Sequence, residues 1–94
     1  MVTVLVDAEN VRRSLWPNLT GQELVERAKA WGSREGHDVV VVFAGAQSAD
    51  DEIVQLASTH EGALWVVSSD RELRHRVAPY ADRIIGGGRF ARIV

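Results

Sequence analysis

The chain contains no cysteine, which excludes disulfides, thiolate catalysis and any zinc site built on thiolates. It has no apolar run near the roughly 20 residues that a membrane-spanning helix needs, so no membrane partner is expected. The apolar run at the start is short and follows no basic segment, unlike a secretory leader, and a cytoplasmic location is expected. Positive charge is not in excess: 11 basic against 13 acidic residues leave a formal net charge of −2. That balance argues against gripping nucleic acid through bulk charge and leaves room only for local basic patches. Lysine is nearly missing, Lys29 being the single example. Neither the dinucleotide fingerprint nor P-loop spacing occurs, so Gly86-Gly87-Gly88 reads as a flexible turn. His37, His60 and His75 fit no ligand spacing, and no Ser–His–Asp arrangement is suggested. Repeats, linkers and low-complexity segments are absent.

What remains is a single domain of 94 residues, 46% hydrophobic and 26% charged, an ordinary balance for a packed globule. Val2–Val6 is apolar without alternation, as a strand covered on both faces reads. It ends abruptly in Asp7, followed by Glu9 and Asn10. Val11–Trp16 predicts a short helix halted by Pro17. Thr20 and Glu23 form a capping-box pattern opening a helix with Leu24, Val25, Ala28 and Trp31 inward, and Gly32 and Gly36 bracket its exit. Val39–Phe43 is the second strand. Ser48 to Glu52 opens a helix with Ile53, Leu56, Ala57 and His60 inward. Ala63–Val67 is the third strand, running into Ser68-Ser69-Asp70 and a helix with Leu73 and Val77, ended by Pro79. Arg83–Ile85 is a fourth strand and Phe90–Val94 a last edge strand. Alternating strands and helices predict an α/β fold, with a central parallel sheet of about four to five strands and helices on both faces.

In such sheets chemistry gathers beyond the carboxyl ends of the strands, at the point where strand order reverses. If strands one and three are neighbours, Asp7 and Asp70 face each other there, and Asp50 approaches from a helix start. Carboxylates crowded in this way repel, and a divalent metal relieves the repulsion. Mg²⁺ or Mn²⁺ prefers oxygen ligands, keeps waters, and takes one or two carboxylates plus substrate phosphate. Asn10 is placed to orient a water or a phosphate oxygen. The bland alternative is capping: Ser48 with Asp51, and Ser69 with Glu72, both read as capping boxes, and first-turn acids also suit the helix dipole.

Three stretches in matching order, Val6-Asp7-Ala8-Glu9-Asn10-Val11, Ser48-Ala49-Asp50-Asp51-Glu52-Ile53 and Val66-Val67-Ser68-Ser69-Asp70-Arg71-Glu72-Leu73, resemble the NYN branch of PIN-like ribonucleases. Ala81-Asp82-Arg83-Ile84-Ile85-Gly86 resembles that family's last strand. The resemblance implies a three-layer PIN-like (NYN) fold and a metal-dependent endoribonuclease acting on RNA with Mg²⁺ or Mn²⁺. It implies Asp7, Asp50 and Asp70 as metal ligands, Asn10 beside them, and Glu72 as a fourth acid. Arg12, Arg13 and Arg71 are then candidates to position the RNA backbone. Ala8 and Glu9 depart from the family, which commonly carries glycine and an aromatic there, and the chain is shorter than its relatives before the Ser-Ala-Asp motif. Two other readings stand beside this one. A degenerate NYN-like domain would bind RNA or protein without cutting. A receiver-like or haloacid-dehalogenase-like phosphotransfer domain would use Asp7 as phosphoacceptor, but those folds want a late lysine. The apolar edge strand Val39–Phe43 also favours a weak homodimer.

Overall fold

The computed structural model describes all 94 residues. Strand β1 (Thr3–Asp7) leads directly into the short helix α1 (Ala8–Arg12), and α2 (Gly21–Glu35) returns the chain to β2 (Asp38–Val42). Helix α3 (Ala49–Thr59), β3 (Leu64–Val67), α4 (Arg71–Val77), β4 (Arg83–Ile85) and α5 (Gly87–Ile93) follow. All pairings are parallel, in the order β2-β1-β3-β4. The expected neighbourhood of the first and third strands holds, with Leu5 opposite Val66 and Val6 opposite Val67. The chain crosses β1 between β2 and β3, so strand order reverses between β1 and β3.

Alternation along the strands builds a core on each face, as period-two geometry requires. Val4, Val6, Val39, Val67 and Ile85 pack against Val11 of α1, Leu24, Ala28 and Trp31 of α2, and Phe90 and Ala91 of α5. On the other face Leu5, Val42, Leu64 and Val66 meet Ala49, Ile53 and Ala57 of α3, and Leu73 and Val77 of α4. The result is a three-layer α/β/α domain. No helix is long and apolar enough to cross a membrane.

Several sequence expectations shift. Helix α1 spans Ala8–Arg12 rather than Val11–Trp16: it starts early because Ala8 and Val11, three apart, both bury completely, and it ends before Pro17 is reached. Gly32 lies inside α2, and Gly36 in the left-handed conformation caps it. The inward line of α3 is Ala49, Ile53 and Ala57, while Leu56 is 39% exposed and His60 is the C-cap. The largest correction is at the end of the chain, where α5 replaces the turn and edge strand expected over Gly86–Val94. Phe90 and Ala91 are both buried in one core. Adjacent residues on a strand point to opposite faces, whereas a helix holds both on one stripe. Burying Phe90 fully is worth about 1.5–3 kcal/mol, enough to decide the matter for a short segment. The sheet therefore has four strands.

Candidate active site

Asp7 is the last residue of β1 and is only 6% exposed. It is also the residue before α1, yet its side chain makes no capping bond. Its carboxylate turns instead toward β3, where the fully buried Ser68 hydroxyl donates to Oδ2 at 2.9 Å. The same Ser68 oxygen accepts from the Asp70 N–H at 3.1 Å. One hydroxyl thus fixes Asp7 and the turn that presents Asp70. Nothing in local sequence marked Ser68 for this role, since its partner is 61 residues away.

Asp70 lies beyond β3 as the N-cap of α4, and its Oδ1 accepts from the Leu73 N–H at 3.1 Å. The expected box of Ser69 with Glu72 does not form. Ser69 faces the other way: its hydroxyl accepts from the Gly87 N–H at 2.8 Å, and its own N–H donates to Asn10 Oδ1 at 2.9 Å. Asn10 thereby joins α1 to the loop after β3. Gly87 completes this junction, because a Cβ there would stand 2.2 Å from Asn10 Oδ1. At α3 the Ser48 hydroxyl accepts from the Asp51 N–H at 3.1 Å, and Asp51 pairs with Arg76 at 3.1 Å. Asp51 is accounted for by capping and that ion pair. Asp50, in the same first turn, is half-buried and has no hydrogen bond or ion pair of its own.

Asp7, Asn10, Asp50 and Asp70 line one open cleft of about 450 Å³, with Glu9 and Arg13 at its side. Burial raises the Asp7 carboxyl above its ordinary range, and the nearby Asp50 and Asp70 charges add to the rise. The bond from Ser68 opposes the rise, and so does the nearby backbone N–H of Asn10. Asp50 is also raised, chiefly by burial and then by Asp70, with Glu72 and Asp51 adding and Arg76 opposing. Two carboxyl groups in one cleft are thus held against their preference for ionisation, a pattern concentrated at functional sites.

The remaining candidates separate. Glu72 is exposed on α4 and acts on Asp50 through its charge, without lining the cleft. Arg71 is exposed and also outside it. Arg12 is tied to Glu9 at 2.7 Å and to the Leu19 carbonyl at 2.8 Å. Arg13 lines the cleft, 3.6 Å from Glu9. Glu9, which departs from the family pattern, is a cleft residue neutralised by two arginines. No histidine or lysine lines the cleft. His37 is wedged between Trp31 and Trp65, and Lys29 donates to the Val39 carbonyl. No group of three or more His, Asp or Glu side chains stands ready to hold a metal ion.

Comparison with protein-family models, with curated proteins and with solved structures returns no match.

Proposed function

We propose that this chain is a PIN-like, NYN-type endoribonuclease that hydrolyses RNA phosphodiesters with Mg²⁺ or Mn²⁺. The observation that carries the reading is the meeting of Asp7, Asp50 and Asp70 in one open cleft at the strand-order reversal. The donor set suits a hard cation. All donors are oxygens, and such ions take one or two carboxylates, with water and substrate phosphate completing the shell. Asp7 and Asp50 would hold the ion, and their raised affinity for protons is the repulsion that a cation relieves. Asp70 uses Oδ1 for its cap and still lines the cleft. A bound divalent ion polarises the scissile phosphate and lowers the pKa of water.

The chain's own residues do the positioning. Ser68 holds Asp7 in one rotamer by its 2.9 Å bond. Asn10 directs Oδ1 to Ser69 and leaves its amide N–H groups for a phosphate or water in the cleft. Arg13 supplies the one positive charge lining the cleft.

The test is cleavage of an end-labelled RNA by wild type, Asp7→Asn, Asp50→Asn and Asp70→Asn, with Mn²⁺ or a chelator. Losses on the order of 100-fold or more are expected for Asp7→Asn and Asp50→Asn, and chelation should abolish cutting. Equal activity in all four proteins, or activity in chelator, would sink the reading.

A second reading, a domain that binds RNA or protein without cutting, is favoured by the lack of a ready-made three-ligand group. Calorimetry with Mn²⁺ separates the two: binding that vanishes in Asp7→Asn belongs to the nuclease. The phosphotransfer reading loses ground because Lys29 is committed to β2 and no lysine lines the cleft.

A further inference from the structure

Beside the acidic cleft the chain carries an exposed tryptophan on a braced loop. Trp16 is 90% exposed, although tryptophan is among the side chains with most to gain from burial. The loop that presents it is closed at its neck by a reciprocal pair. The Leu19 N–H donates to the Arg12 carbonyl at 3.2 Å, and Arg12 Nε donates to the Leu19 carbonyl at 2.8 Å. Leu15 packs against the core and Leu19 is buried, so both sides of the loop are anchored and its tip, Trp16 to Asn18, is left outside with Trp16 as its one large apolar side chain. Ser14, two residues earlier, lines the cleft and is bonded through its hydroxyl to the Asn10 carbonyl at 2.6 Å.

Arginines gather on this side, where the acid of α1, Glu9, is paired with Arg12 and Arg13. The Arg13 side chain is 73% exposed. Helix α5, packed on α1, contributes Arg89 and Arg92 and no acid. Arg92 reaches this rim: a Cβ on Gly88 would lie 3.8 Å from Ser14 Cβ and 3.9 Å from Arg92 Nη1. The opposite wall carries Asp50 and Asp70, with Glu72 and Asp51 behind them and Arg76 paired to Asp51. A polyanion approaching the cleft is repelled by that wall and attracted to the α1–α5 rim. A flat, exposed ring beside arginines is how single-stranded nucleic acid is held, with bases stacked and phosphates paired.

We propose that Trp16 is a base-stacking residue and that Arg13 and Arg92 carry the adjoining phosphates, so the α1–α5 rim is the track for an unpaired strand entering the cleft. This rests on the ribonuclease reading and adds the residues that anchor the strand outside the acids: Trp16 and Arg92, with Arg13 between them and the cleft. Trp16 is a positioning residue, not a catalytic one.

The test uses the full chain carrying Asp7→Asn, so that RNA survives, titrated with a short oligouridylate while tryptophan emission is followed. Saturable quenching is expected. Trp16→Ala should remove it and weaken binding about 5- to 150-fold. Trp16→Phe should recover most of the affinity, Arg92→Ser should weaken binding and flatten its salt dependence, and duplex RNA should bind worse. In the chain with Asp7 intact, Trp16→Ala should raise KM more than it lowers kcat. Unchanged affinity in Trp16→Ala, equal binding of duplex, or equal binding of inorganic polyphosphate would overturn the proposal. So would a Trp16 emission shift on dilution without RNA, which would assign the ring to a second copy of the chain. Cleavage by wild type with an unaltered KM in Trp16→Ala rejects the stacking role and keeps the nuclease; neither binding nor cleavage rejects both.

Discussion

At the amino ends of the strands, His37 sits between Trp31 and Trp65 at ring-centroid distances of 5.3 and 4.7 Å, Phe90 meets Trp31 edge-on at 5.1 Å, and Arg83 lies over Trp65. At the carboxyl ends of the same strands, Ser68, Ser69, Asn10 and Gly87 exchange hydrogen bonds around an open cleft, and two acids resist ionisation. One end is closed by aromatic packing and the other is held open by polar ties. Removing apolar volume should therefore cost stability at the first end. Removing charge should gain stability and cost function at the second.

The largest effect expected is Trp31→Ala. Trp31 is 6% exposed and touches both aromatic neighbours, so truncation should cost about 3–5 kcal/mol. For a small domain that is a large share of a total near 5–15 kcal/mol. Urea denaturation measures it. RNA cleavage per folded molecule should not change, and a proportionate loss of kcat in folded protein would break the division between the ends.

Ser68→Ala comes next. It removes the donor to Asp7 Oδ2 and the acceptor for the Asp70 N–H from a fully buried position, at a cost of about 1–3 kcal/mol. Because the Ser68 bond opposes the rise in the Asp7 pKa, its loss should push that pKa higher still. Carboxyl chemical shifts followed through an acid titration would show the change. An unchanged Asp7 titration would mean that Ser68 braces the backbone alone.

These positions also mark what local sequence could and could not reveal. The strands and Asp7 were legible because hydrophobic runs, the first of them ending in Asp7, are local signals, and Asp50 because Ser48 marks a helix start. Alternation of strands and helices predicts a parallel sheet but not its strand order, so the β1–β3 pairing enters only as a condition that the fold meets. Helix α5 was not legible: three glycines in a row suggest a turn, and the reason for Gly87, close approach to Asn10, lies in a distant segment. Ser68 was hidden for the same cause. The expected cap is Ser69, but the role falls to Asp70 because Ser69 is drawn to Gly87 and Asn10. Glu9 reads as an intruder in the motif, and only the fold shows Arg12 and Arg13 answering its charge.

Asp7→Asn should have opposite signs on the two properties: lost cleavage and higher stability at neutral pH. A carboxyl whose pKa is higher folded than unfolded adds stability when protonated. That contribution is complete below the unfolded value and is lost as pH rises through the folded one. Asp7 is raised, so the variant's advantage should be smallest in acid and grow toward neutral pH, reaching about 0.5–2 kcal/mol. Thermal unfolding across pH measures it, and Asp50→Asn should follow the same course more weakly. Mn²⁺ should stabilise wild type and not Asp7→Asn, by about 2.7 kcal/mol at a hundredfold excess over Kd. A variant less stable than wild type at neutral pH would show the carboxylate to be a structural group.

The smallest effect belongs to the aromatic end. His37 Nδ1 is buried without a hydrogen-bond partner, the single such side-chain atom in the chain. His37→Phe retains a ring between Trp31 and Trp65 and removes the unpaired nitrogen. Replacing an unsatisfied polar group by an apolar one of similar shape is close to neutral or favourable, so the change should be small and stabilising, at most about 1 kcal/mol. Denaturant midpoints of the two proteins decide it. A loss of more than about 1 kcal/mol would mean that the imidazole is chosen for its polarity, and that the aromatic end is not the inert counterpart of the acidic one.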